Sequence, residues 1–252
     1  KAPVSARHLP STDKLTLCFA HVAYRLGERF ALRHAGIRWF EVRRLEELKS
    51  RIGEVDVLLC SGLWRNELIA AAPRLAFIQS ISAGTDQYSR EALGAAGIRL
   101  ASAQGVNERA VAEHAIALML AMARRIPEAR DNQAARKWRG MIGDIAKRED
   151  ELGGKTLVIV GLGRIGARLA TLAKAFDMHV LATRRDPSRG AGAADVVVGE
   201  ERLPGLLPQA DFVALTCPLT PQTENLIDAQ ALAAMKPSAY LINVARGKVV
   251  TE

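Results

Sequence analysis

The chain has 252 residues, 49% of them hydrophobic and 25% charged, with a formal net charge of +8. That length suits two domains better than one core, and the composition describes an ordinary soluble globular protein. The cations are scattered (Arg38, Arg43, Arg44, Lys49, Arg51, Arg136, Lys137, Arg139) without a tract or interleaved aromatics, which argues against nucleic acid and for a small anionic substrate or cofactor.

From Leu15 to Ser102 the runs LTLCFA, IRWFEV, VDVLLCS, LAFIQSIS and IRLAS alternate with polar, helix-like segments. Strands recurring with helices between them predict βαβ units on a parallel sheet, hence a doubly wound α/β domain over residues 1–107. Cys18, Cys60 and Cys217 are odd in number and share neither CxxC nor metal-ligand spacing, so no metal site and a reducing compartment are expected. The first residues lack a signal peptide's basic start and apolar run, and the longest apolar run, AIALMLAMA at 115–123, is too short to span a bilayer. The expectation is a cytoplasmic protein with no membrane partner.

A long helix is predicted from Asn107, with Val111, Ala115, Leu118, Met119 and Met122 on one face. Ile116, Ala117, Leu120 and Ala121 make its other faces apolar too, so it is either a plain core helix or one buried between domains or against a partner subunit. A polar connector follows over 127–154, then a second alternating series: KTLVIVG, a helix, MHVLATR, ADVVVG, DFVALTCP and AYLINVA. This predicts a second Rossmann-like α/β domain over 108–252. No internal sequence repeat is visible.

GLGRIG, 161–166, stands between the strand KTLVIV and the helical ARLATLAKAF, which is the order a dinucleotide fingerprint requires. Gly161 permits the turn, Gly163 admits a pyrophosphate to the backbone, and Gly166 lets helix and strand pack closely. Arg164 and Ile165 open the helix whose amides and dipole would face the anion. Where NAD-binding sites carry an acidic residue at the end of the second strand, this sequence reads Thr183, Arg184, Arg185. Two guanidiniums there suit a 2′-phosphate and favour NADP over NAD, although Asp186 lies next to them.

ELGGKTLVIVGLGRIGARLATLAKAF, CPLTPQTENLI and MKPSAYLINVARGKVV, with ISAGTD at 81–86 and GVNERAVAEHAIALMLAMARR at 105–125, resemble the D-isomer-specific 2-hydroxyacid dehydrogenases over nearly the whole chain. The resemblance implies two Rossmann-like domains, a flavodoxin-like substrate domain and an NAD(P)-binding domain, with the active site in their cleft and usually a homodimer. It implies hydride transfer between a nicotinamide cofactor and a small 2-keto or D-2-hydroxy acid. Arg246 of NVARG corresponds to the arginine that clamps the substrate carboxylate and keto oxygen, and the backbone amides of Ser82, Ala83 and Gly84 to the carboxylate-binding loop. Cys217, Pro218 and Thr223 match the adenine and ribose side, and Val244 and Ala245 the nicotinamide side; Cys217 reads equally as a small buried hydrophobe. His114 of the AEH motif has no counterpart as proton donor and is expected to be a satisfied structural histidine.

Family members continue past NVARG with a glutamate and a proton-donating histidine, so the sequence reads as truncated, and residues 1–252 alone are expected to be poorly active or inactive. Phosphoglycerate-type members carry an arginine after the third strand, where this sequence has Ser61 and Gly62, which argues for an unphosphorylated acid such as glyoxylate or hydroxypyruvate. Trp64 either walls the substrate pocket or packs as core. Two rival functions use the same cofactor loop: a formate- or phosphite-type dehydrogenase, and a dinucleotide-sensing module.

Overall fold

The computed structural model describes residues 5–251, and the chain divides into two compact units, Lys1–Val106 and Asn107–Glu252. The first contains β1 (Thr16–Ala20), α1 (Leu26–Ala31), β2 (Arg38–Val42), α2 (Leu45–Arg51), β3 (Val57–Cys60), β4 (Phe77–Ser80), α3 (Arg90–Ala95) and β5 (Arg99–Ala101). Its strands form one parallel sheet in the order β2-β1-β3-β4-β5. All five residues of β1 are buried, which suits the uninterrupted TLCFA run to a central strand covered on both faces. The loops leaving β1 and β3 start crossovers toward opposite edges of the sheet, and a crevice opens between them at the carboxyl ends of the strands.

The second unit contains α4 (Glu108–Ala123), α5 (Ile126–Ala134), β6 (Thr156–Val160), α6 (Arg164–Lys174), β7 (His179–Thr183), β8 (Val196–Val198), α7 (Leu203–Leu206), β9 (Phe212–Leu215), α8 (Ala229–Ala234) and β10 (Tyr240–Asn243). Its parallel sheet runs β10-β9-β6-β7-β8. In sequence order that is 3-2-1-4-5, the dinucleotide-binding arrangement, with the switch point between β6 and β9. The expected α/β class with two doubly wound parallel sheets is what the structure shows. Among the described residues no helix is long and apolar enough to cross a membrane.

α4 buries Ala112, Ala115, Ile116, Met119 and Ala123, a face rotated from the predicted one; Val111, Leu118 and Met122 are only half-buried. A helix apolar on every side carries too little contrast for sequence to orient it. His114 is exposed on this helix.

One device recurs three times at the amino ends of the strands. Asp56, immediately before β3, accepts from the Thr16 amide at 2.9 Å and takes two bonds from Arg74 at 3.1 and 2.8 Å. Asp195, before β8, accepts from the Val180 amide at 2.7 Å and pairs with Lys174 at 2.9 Å. Asp211, before β9, accepts from the Thr156 amide at 2.8 Å and pairs with Lys236 at 2.8 Å. In each case the aspartate's own amide donates back to the same neighbouring residue, so two strands are fastened by a closed ring.

Candidate functional site

The glycine loop lies where β6 meets α6. Gly161 has φ +95°, and a Cβ there would stand 2.8 Å from the Cys217 Cα, so only glycine fits the turn against β9. A Cβ at Gly166 would stand 2.6 Å from the Gly161 carbonyl oxygen, which accounts for the third glycine through packing. Gly163 faces open space on its Cβ side. The end of β7 holds the loop in place: the Thr183 carbonyl accepts from the Gly161 and Leu162 amides at 3.2 and 2.8 Å, and its hydroxyl from Gly161 at 3.3 Å. Thr216 Oγ1 donates to the Gly161 carbonyl at 2.7 Å from the other side. The amides of Arg164, Ile165 and Gly166 have no acceptor among the described residues, which leaves three first-turn donors for an anion. Arg164 flanks them, 4.0 Å from the Glu108 carboxylate.

Beyond β7, Arg184 is half-buried and its Nη1 donates to the Gly190 carbonyl at 2.9 Å. Arg185 is exposed and makes no side-chain bond among the described residues. The Asp186 carboxylate caps the turn at 187–189, and the Ser188 side-chain hydrogen bond holds its carboxyl below the usual range.

A small recess of about 30 Å³ adjoins the loop, lined by Gly161, Thr183, Glu200, Cys217, Gln222 and Thr223 among others. Cys217 is 5% exposed, and burial pushes its thiol up to about 11, so it acts as a small apolar wall. Pro218 is exposed. The buried Thr223 hydroxyl donates to the Pro218 carbonyl at 2.6 Å and accepts from Thr220 at 2.8 Å, so it shapes the segment and does not stand free for a ligand.

Arg246 follows β10, the neighbour of β9, and is exposed. Asn243 builds its turn, accepting from the Ala245 amide at 3.0 Å and donating to the Arg246 carbonyl at 2.8 Å. Val244 and Ala245 are half-buried beneath it. In the first unit Ser82, Ala83 and Gly84 follow β4. The Ser82 amide already donates to Ser80 Oγ at 3.2 Å, so the expected amide trio is reduced to Ala83 and Gly84, whose N–H groups have no acceptor among the described residues. Ser82 contributes its hydroxyl instead, hydrogen-bonded to that of Ser61. Trp64 is 1% exposed, its ring 5.6 Å from that of Tyr88 and its Nε1 donating to Asn66. It packs in the core, the second of the two places open to it in the sequence, and not in the pocket wall.

The sequence profile of the D-isomer specific 2-hydroxyacid dehydrogenase NAD binding domain matches residues 116–252. The chain belongs to the D-isomer specific 2-hydroxyacid dehydrogenase family. Over 219 residues it is 36% identical to the D-3-phosphoglycerate dehydrogenase of Mycobacterium leprae, covering 86% of this chain and 40% of that protein. It is 39% identical over 210 residues to the glyoxylate/hydroxypyruvate reductase B of Yersinia pestis, covering 82% and 63%. A glyoxylate reductase from Paecilomyes thermophila superposes with a TM-score of 0.79 at 26% identity, covering 94% of this chain and 75% of that one. The chain therefore spans about two fifths to two thirds of the length of the curated relatives it matches.

Three residues of this candidate site escape sequence reasoning. Asn243 is visible only as an Asx turn inside NVARG. Glu200 and Gln222 lie in segments far apart in sequence that meet only when the recess forms.

Proposed function

We propose that the protein is an NAD(P)-dependent oxidoreductase acting on a small unphosphorylated 2-keto or D-2-hydroxy acid of the glyoxylate or hydroxypyruvate type, with NADP(H) preferred. The three unpartnered amides of Arg164, Ile165 and Gly166 at the switch point carry this reading. The glycine positions fit a dinucleotide, because the Cβ side of Gly163 is open while Gly161 and Gly166 are closed against neighbours. A bound nicotinamide cofactor supplies the hydride for the carbonyl carbon. Arg246 offers paired donors to the substrate carboxylate and keto oxygen, and it stabilises negative charge building on that oxygen. In the first unit the Ala83 and Gly84 amides stand open to an anion. The NADP preference rests on an exposed Arg185 beside an Asp186 that Ser188 already engages.

Arg65, the nearest cation to the end of β3, turns back on the Gly62 and Trp64 carbonyls at 2.9 and 2.7 Å, which supports an unphosphorylated acid. The identity to the Yersinia reductase supports the same substrate class. Trp138, Met141 and Ile145, exposed at 96%, 103% and 79%, are apolar surface that a second copy would cover in a homodimer. Three free, buried cysteines support a reducing, cytoplasmic setting.

The test is oxidation of NADPH and NADH by the full-length protein with glyoxylate, hydroxypyruvate and pyruvate, for the wild type and Arg246→Ala. Reduction with NADPH preferred, and a large loss in the variant, is expected. Dinucleotide binding with no turnover of any of the three acids would overturn the reading.

A further inference from the structure

The crevice of the first sheet is flanked by polar side chains that the reading above does not use, His21 among them. His21 follows β1 directly, and the register Ala20↔Cys60 places it beside Ser61 at the end of β3. Register Cys60↔Ser80 carries the row on to the Ser82 loop. His21, Ser61 and Ser82 therefore stand in line across the carboxyl ends of three adjacent strands, at the switch point of the β2-β1-β3-β4-β5 sheet.

The imidazole is fixed in place. Its Nδ1 accepts from the Ala23 and Tyr24 amides at 3.1 and 2.8 Å, and its ring stacks on Tyr24 with centroids 4.1 Å apart and planes 12° from parallel. An accepting Nδ1 places the proton on Nε2, which has no acceptor among the described residues. Adjacent strands lie roughly 4.8 Å apart, so the His21 backbone stands on the order of 10 Å from the Ser82 turn. A three-carbon acid and an imidazole together fill that gap.

We propose that His21 is a specificity residue whose Nε2–H, with the Ser61 and Ser82 hydroxyls, receives the C3 hydroxyl of a hydroxylated three-carbon 2-keto acid. The inference rests on the 2-keto acid reading and adds that hydroxypyruvate is selected over glyoxylate and pyruvate. A site built to bond a hydroxyl discriminates against analogues lacking it, because its own donors are then left unpaired.

His21→Asn separates this role from a structural one. The asparagine Oδ1 takes over the two backbone donors as an Asx turn, while no N–H reaches the place of Nε2. His21→Phe keeps the stack on Tyr24 and removes both nitrogens. In the full-length protein, the KM ratio of hydroxypyruvate to glyoxylate should rise about tenfold in both variants, the worth of one hydrogen bond, with little change in the ratio of kcat values. Inhibition by D-glycerate should weaken relative to glycolate by a similar factor. Unchanged ratios in either variant, or an equal loss on both acids, would overturn the role of His21. A wild type that reduces neither acid would overturn the underlying reading and this inference with it.

Discussion

Ser188 holds Asp186 twice, its amide donating to Oδ1 at 3.2 Å and its hydroxyl to the same atom at 2.5 Å. The carboxylate so occupied lies near the end of β7, where a carboxylate would accept from ribose hydroxyls, while Arg185 beside it stays exposed. Arg185→Ala should weaken NADPH binding about tenfold or more, since bonds to charged groups are the stronger ones, and change NADH little. Ser188→Ala should release the carboxylate and shift preference toward NADH. Fluorescence titration of both cofactors checks this. An NADPH-to-NADH dissociation ratio that neither change moves would take these residues out of cofactor choice.

Gly166 and Gly163 should behave differently when given a methyl group. At Gly166 the new carbon meets the Gly161 carbonyl at 2.6 Å and Thr216 Oγ1 at 2.9 Å. Gly166→Ala should cost about 1–3 kcal/mol of stability, as overpacking does, and abolish dinucleotide binding. Gly163→Ala meets nothing within 4 Å, so its folding should be nearly normal and its binding impaired. Urea midpoints beside cofactor titrations test the contrast, and similar stability losses in the two variants would contradict it.

Asp211 gives stability an acid limb. Burial opposes its ionisation, but Lys236 and the Thr156 amide outweigh burial and hold its carboxyl below the usual range. A depressed folded value means the contribution is fully present above the ordinary carboxyl pKa, roughly 4, and is lost as pH falls through the folded value. Asp211→Asn keeps an acceptor for Thr156 and loses the ion pair. It should be less stable than wild type at neutral pH, with the gap closing in acid. Urea midpoints measured from pH 7 to pH 3 decide the matter, and a gap independent of pH would show that charge is not involved.

Trp64 should report on folding and not on substrate. Trp64→Ala should cost about 3–5 kcal/mol, the usual loss for a large core aromatic. Trp64→Phe should cost less and leave the KM for 2-keto acids near wild type. A Trp64→Phe variant of normal stability with a strongly raised KM would return the indole to the pocket wall.

Strand positions and the glycine loop were legible because they depend on short-range pattern: β-rich apolar runs, and glycines at the spacing a tight turn and a close helix require. The direction of a side chain was not. Trp64 sits next to loop residues in sequence, yet its ring turns into the core. Ser82 has an amide like its neighbours, yet Ser80 occupies it. Thr223 reads as a ribose contact, yet its hydroxyl closes its own loop. His21 gives no signal in sequence, since its place in line with Ser61 and Ser82 follows only from the register of β1, β3 and β4. The aspartates of VDV, ADV and ADF were in plain view at the starts of three strands, but the cations that meet them lie 18 to 25 residues away.

Asp56, Asp195 and Asp211 fasten three strand pairs at their amino ends, the rim opposite the loops of the candidate site. Positions in those loops that no strand packs against, such as Gly163, are then open to change while the strands stay aligned. A change of ligand is then a short evolutionary step, and a loss of fold is a separate event.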